Sequence, residues 1–93
     1  MNYSFFKWNL LGFKVSKTRN KKYDAYIESV DKKHIKRIPF GDTRYESYGD
    51  KTGFNRYKIH EDEVRRMNYR KRNYHFVKPG YFSQAYFAYY YLW

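Results

Sequence analysis

Apolar and polar residues divide the chain into a hairpin, a turn-rich loop and two helices. Tyr23-Asp24-Ala25-Tyr26-Ile27-Glu28-Ser29-Val30 has strand composition. Asp31-Lys32-Lys33 can turn, and His34 to Phe40 returns as a second strand, so the segment predicts a β-hairpin. Pro39 has no backbone donor and belongs at the end of that strand or on a sheet edge. Gly41-Asp42 breaks the run. Thr43 to Gly53 (TRYESYGDKTG) is turn-rich and reads as an ordered loop anchored by Tyr45 and Tyr48.

Residues 60–75, HEDEVRRMNYRKRNYH, predict the clearest helix. Glu61, Asp62 and Glu63 crowd its first turn and Arg65, Arg66, Arg70, Lys71 and Arg72 fill the later ones, an order that suits the helix dipole. Glu61–Arg65 and Asp62–Arg66 are i,i+4 pairs of the favourable sense. Val64, Met67, Lys71 and Tyr74 form one narrow stripe, with Arg66, Tyr69, Arg70 and Asn73 roughly opposite. The pattern predicts that the helix packs on one side and shows cations on the other. After Pro79-Gly80, Ser83 is an N-cap candidate for a last helix reaching Leu92 or Trp93. Its rings fall on two faces, Phe82, Tyr86, Tyr89 or Tyr90 and Trp93 on one, Phe87 and Tyr91 on another. Such a helix needs cover from the hairpin and from something more.

Before the hairpin, SFFKWNLLGFKV (residues 4–15) is aromatic-rich without a clean period and reads as an arm or an edge strand. Ser16 to Lys22 is a polar basic run, read as an exposed loop. The expected fold is therefore α+β: a small hairpin or three-stranded sheet packed by a basic helix and an aromatic C-terminal helix. Residues 1–22 would form an extended aromatic and basic N-terminal arm and residues 23–93 the small domain, a single domain overall. Internal repeats and low-complexity tracts are absent.

Composition sharpens this picture. In 93 residues there are 13 Tyr, 8 Phe and 2 Trp against few branched aliphatics. Any core is built of rings, and buried Tyr hydroxyls need partners. A body this small has little stability to spare. With no Cys there is no disulfide framework or thiolate zinc site. Lys7 and Asn9 interrupt the start before a signal-peptide core develops. The uncharged stretch from Pro79 to Trp93 is shorter than the ~20 residues a spanning helix needs, so no membrane-spanning segment is expected.

The net charge is +11, and it is uneven. Residues 1–40 carry ten Lys/Arg against three acids, residues 41–63 four against six, and residues 64–93 six against none. Two basic blocks flank a mildly acidic middle, which favours polyanions or acidic protein faces as partners. The candidate anion-binding residues are Lys14, Lys17, Arg19, Lys21 and Lys22 in the first block and Arg65, Arg66, Arg70 and Arg72 in the second. Tyr69 among the arginines offers a ring for unpaired bases, although core or interface packing explains it equally.

Enzymatic readings find little footing. His60-Glu61-Asp62-Glu63 looks like the start of a zinc helix, but the second His due four residues on is replaced by Val64. A capping role for His60 and exposure for His34 and His75 follow more simply. No Ser lies in a G-x-S-x-G elbow, and the acids cluster where a helix start wants them. A non-enzymatic protein with no cofactor and no metal is expected.

The stretches KKYDAYIE (21–28), FGDTRYESYGDKTG (40–53), IHEDEVRRMNYRKR (59–72) and GYFSQAYFAYYYLW (80–93) carry a resemblance. Together they are similar to a family of short basic proteins encoded by large double-stranded DNA viruses of algae and amoebae, with similar ones in some phages. The matching positions are Tyr23, Asp24, Phe40, Gly41, Tyr45, Tyr48, His60, Asp62, Arg65, Arg66, Tyr69, Arg72, Gly80, Leu92 and Trp93. The first twenty residues lie outside it, and Asn73 stands where relatives often carry His. The resemblance implies a viral origin and a place in the virion, after passage through host cytoplasm or nucleus. It supplies no catalytic residues. The resulting expectation is a virion structural protein, a minor capsid or internal component. Phe5, Phe6, Trp8, Phe87, Tyr90 and Trp93 would anchor to other virion proteins such as capsid subunits. The basic faces would meet acidic protein surfaces or packaged double-stranded DNA. A free viral nucleic-acid-binding protein is the alternative.

Overall fold

The computed structural model describes residues 2–93, and its elements follow from where rings can be buried. Strand β1 is Tyr3–Ser4, β2 Trp8–Val15, β3 Lys21–Ser29 and β4 Ile35–Asp42. Helix α1 is Glu63–Asn73, continued by a 3₁₀ turn over Tyr74–Phe76. Strand β5 is Tyr81–Phe82, and α2, Gln84–Phe87, runs on as a π-helical turn over Ala88–Leu92. The result is the expected α+β fold. A three-stranded antiparallel sheet has the order β2-β3-β4, and β1 pairs with β5 in a second, two-stranded sheet.

The hairpin forms as its sequence predicts. Tyr23 lies opposite Phe40 and Ala25 opposite Ile38, which puts four core side chains on one face. The turn is tied by its own side chains: the Ser29 hydroxyl donates to Asp31 at 2.6 Å, and the amides of His34 and Lys33 donate to Ser29 Oγ and Asp31 Oδ1. Pro39 sits on β4, an edge strand, where its missing donor costs no ladder bond.

Of the two readings for residues 4–15, the structure takes the edge strand. β2 pairs with β3 from Trp8 to Val15, but its register shifts between Leu10 and Gly12. That bulge explains why the segment lacks a period. Leu10 lies opposite Ile27, and Phe13 and Val15 lie opposite Ala25 and Tyr23, all on the core face. The extra residue, Leu11, is what lets an even and two odd positions share one face, and it projects to solvent. Lys21 and Lys22, expected in a loop, open strand β3 instead.

The tail closes the core. Phe87 and Leu92 are buried against Tyr23, Ala25, Ile27, Ile38, Phe40 and Phe82. Ser83 caps α2 as expected, its hydroxyl accepting from the Tyr86 amide at 3.1 Å. Gly41, with φ +78°, turns the end of β4 where the tail comes closest, and a Cβ there would lie 2.8 Å from Leu92 Cδ1.

Of the loop's two expected anchors Tyr48 holds, its hydroxyl donating to Glu63 and its ring lying 4.9 Å from the Arg66 guanidinium. Tyr45 is exposed and anchors nothing. Asp50 organises the turn: Oδ1 accepts from the Thr52 amide at 2.8 Å, and Oδ2 accepts from the Tyr23 hydroxyl at 2.5 Å and the Asn55 amide at 3.1 Å. The Gly49 and Lys51 amides donate to the Leu92 and Tyr91 carbonyls, stitching the loop to the tail.

Helix α1 starts later than predicted and is turned around. Asp62 is its N-cap, accepting from the Val64 and Arg65 amides, and Glu61 lies before it at φ 54°. The two expected i,i+4 pairs are therefore absent among the described residues, and Glu63–Arg66 at 3.7 Å replaces them. The expected packing stripe faces solvent: Val64 is 66% exposed, Met67 55% and Tyr74 64%. Arg66, Tyr69, Arg70 and Asn73 are the half-buried positions. The cause is the tail. Arg66 Nε donates to the Trp93 carbonyl at 2.8 Å and Arg70 to the Tyr89 carbonyl at 3.3 Å. These are carbonyls of the last helical turn, left without helical partners, and cations there also meet the negative end of the dipole.

Candidate functional site

With its arginine face on the tail, α1 keeps three other surfaces, and each carries a different chemistry. Along its outer side runs the apolar ridge of Val64, Met67 and Tyr74, extended by Phe76 from the 3₁₀ turn, which is likewise mostly exposed. Four large apolar side chains shown by a short helix and its continuation are more than scattered exposure explains. Beside the ridge a shallow hollow is lined by Met67, Tyr74 and Tyr89 with Arg66, Arg70, Lys71 and Glu63. There the Arg70 guanidinium lies 4.0 Å from the centre of the Tyr89 ring.

On the opposite flank of α1 lies a groove of about 560 Å³ between the helix, the end of β4 and α2. Arg65, Asn68, Tyr69 and Arg72 line it from α1, at the i, i+3, i+4, i+7 spacing of one helix face. Lys21 enters from β3, and Phe40, Ala85, Ala88 and Trp93 make apolar wall. Trp93 is held by Tyr69, ring on ring, and His60 closes from its other neighbours at 5.1 Å.

His60 does not cap α1 directly. Its Nδ1 accepts from the Asp62 amide at 2.9 Å, which steadies the residue that does. That bond leaves the ring proton on Nε2, buried and without a partner among the described residues. Burial, with the Arg65 charge adding to it, holds the His60 pKa below its ordinary value, which favours the neutral ring.

The expected cations divide into four groups. Lys14, Lys17 and Arg19 are exposed and lie outside the groove, Lys14 resting 5.3 Å from the Tyr26 ring centre. Lys21, Arg65 and Arg72 converge on the groove. Arg66 and Arg70 are largely occupied by the tail carbonyls. Lys22 is a correction: it is only 2% exposed, its Nζ donating to Ser47 Oγ at 2.7 Å, and cannot meet a polyanion in this fold. Burial lowers its pKa, partly offset by the carboxylates of Asp50, Asp42 and Glu46.

The expected aromatic anchors divide as well. Phe6 is 91% exposed, and Phe5 and Tyr90 are partly so. Trp8 is half-buried, edge-on to Tyr3 at 5.0 Å. Phe87 is a second correction: it is fully buried in the core and has no surface to offer a partner. Trp93 is half-buried against its own chain. The outward ridge and Asn68 escaped the sequence reading, whereas Lys21, Arg65 and Arg72 were among its anion-binding candidates and Tyr69 was its ring beside them. The i+3, i+4, i+7 spacing from Arg65 was the signal available for the groove; nothing in the sequence alone marked the ridge as outward.

Among the described residues no group of three or more His, Cys, Asp or Glu is placed to hold a metal ion. No helix is long and apolar enough to cross a membrane. No protein-family model, curated protein or solved structure matches the chain.

Proposed function

We propose that this chain is a non-enzymatic structural protein of a virus particle, a minor capsid or internal component. It docks on other particle proteins through apolar side chains it cannot bury, while its cationic faces meet acidic protein surfaces or packaged DNA. The observation that carries this reading is the α1 ridge: Val64, Met67 and Tyr74 stand outside the body, bordered by Arg66, Arg70 and Lys71 with Glu63 as the one acid among them. An apolar strip with a cationic margin suits a protein partner with apolar side chains inside an acidic rim. Exposed Phe6 supplies a second contact. The viral setting rests on the resemblance in residues 21–93.

The test is cross-linking inside intact particles from cells that make the protein. Lys71 lies beside the ridge, and links from it to other particle proteins are the expected result. Absence of the protein from purified particles overturns the proposal.

Exposed Lys14, Lys17 and Arg19 together with Arg65 and Arg72 favour the second reading, a free nucleic-acid-binding protein. If about five cations meet phosphate, log affinity for duplex DNA falls with log salt at a slope near −4.5. A slope of that size, with no oligomers and no particle association, favours the second reading over the first.

A further inference from the structure

The groove beside α1 holds an unbalanced set of groups. Lys21, Arg65 and Arg72 line it, and none makes an ion pair among the described residues. Two carboxylates share its wall. Asp42 is spent, its oxygens taken by the Arg44 guanidinium at 2.8 and 3.0 Å. Among the described residues Glu46 makes no ion pair, and the Asn68 side chain makes no hydrogen bond. Phe40, Tyr69, Trp93, Ala85 and Ala88 supply ring and methyl wall, with Ser47, Asn73 and Gln84 adding uncharged polar groups. A volume of about 560 Å³ falls within the range of small-molecule sites.

Each feature narrows the occupant. A bare anion would satisfy the cations and leave the apolar wall wet. An apolar segment would bury three cations unpaired, at high cost. An acidic peptide would set its carboxylates against Glu46. We propose that the groove binds a nucleotide: phosphate held by Arg65, Arg72 and Lys21, base lying along the Trp93 and alanine wall, and base N–H groups donating to Glu46, with Asn68 on the same edge. Phosphates meet arginine by charge-assisted, often paired hydrogen bonds, and a base has a face for the wall whatever its identity. The nucleotide is either free or part of a single strand. The site does not depend on the particle role proposed above.

The test uses Trp8→Phe protein, in which Trp93 is the sole tryptophan, titrated with GMP, with a 5′-phosphorylated single-stranded tetranucleotide and with inorganic tripolyphosphate. Saturable quenching of Trp93 by GMP or the tetranucleotide is expected, with tripolyphosphate at least tenfold weaker. GMP acting alone identifies a free nucleotide, and a requirement for the tetranucleotide identifies a strand. Arg65→Gln with Arg72→Gln, two exposed positions whose loss spares the core, should weaken binding at least tenfold. Calorimetry on the unsubstituted protein repeats the comparison without relying on the Trp8 variant. Tripolyphosphate binding as tightly as the nucleotides, no loss in the double variant, or no saturable binding at all overturns the site.

Discussion

Trp93 lies flat on Tyr69, ring centres 4.2 Å apart and planes 7° from parallel. The contact joins the last residue of the chain to the middle of α1, and with the Arg66 bond to the Trp93 carbonyl it holds the helix in place. α1 has no fully buried residue of its own, so it depends on such contacts, together with the Arg70 bond to the Tyr89 carbonyl and the Tyr48 hydroxyl bond to Glu63. Tyr69→Ala removes the ring and leaves a gap, a loss of about 2–3 kcal/mol. Thermal unfolding should show it, along with faster amide exchange in α1 than in the sheet. Unchanged exchange in α1 would mean that the arginine bonds suffice.

A second prediction concerns alkaline pH. Burial, and then the hydrogen bond to Asp50, push the Tyr23 hydroxyl up to about 12. In the unfolded chain it titrates near 10. The folded state therefore keeps its proton while the unfolded state loses it, and stability is intact below pH 10 and falls between pH 10 and 12. Asp50 works at the other end. Burial alone would raise its pKa, but bonds from Thr52, Tyr23 and Asn55 outweigh it and hold the carboxyl below its ordinary value. Its contribution is present above the usual carboxylate range and fades as pH falls through the lowered value. Tyr23→Phe should cost about 1–3 kcal/mol at neutral pH and flatten the loss between pH 10 and 12. Denaturant melts across pH check both.

Lys22 offers a third. Its amine is charged at a cost, because burial lowers its pKa in the folded state and the unfolded chain holds the proton more tightly. Lys22→Met keeps the stem and drops the charge, so stability at pH 7 should stay within about 1 kcal/mol or rise. Lys22→Ala should lose about 2 kcal/mol through packing. A Met variant as unstable as the Ala variant would show that the Ser47 bond, not the stem, matters.

Gly41→Ala should be among the most damaging single-methyl additions. The new Cβ meets Leu92 Cδ1 at 2.8 Å and Lys22 Cβ at 3.1 Å, on backbone at φ +78° that side chains rarely adopt. The expected loss is about 1–3 kcal/mol, measured by the shift in denaturant midpoint. Gly53→Ala is the control for strain without crowding, since φ is +89° and nothing lies within 4 Å.

The ridge separates docking from folding. Val64→Glu with Met67→Glu changes exposed side chains, so the melting curve should move by less than about 0.5 kcal/mol per site. Cross-links from Lys71 to particle proteins should disappear. Retained cross-links in the folded double variant would place the contact elsewhere.

What the sequence made legible was local. The hairpin was readable because strand residues and the Ser29–Asp31 turn lie side by side. Ser83 announced its helix, and the acid-to-base order announced α1. What escaped needed a partner from far along the chain. Leu11 hides its strand because one extra residue reverses the parity of everything after it. The inward face of α1 could not be read from α1, because Arg66 and Arg70 are drawn to carbonyls 27 and 19 residues later. Lys22 and Phe87 were misplaced for one reason: type suggests surface or interface, and only the folded loop and sheet show each of them covered. The groove drew on the same long-range placement of the tail against Arg65 and Arg72.

The β1–β5 pairing sets Tyr3 against Phe82 and Ser4 against Tyr81. During synthesis, β1 must therefore wait for residues 5–80 to be made before its mate exists, and the sheet likewise waits for Phe87 and Leu92. Long-separated contacts of this kind slow folding. A nascent chain with its hairpin made and its rings still bare would be open to chaperones and to early capture by an assembly partner.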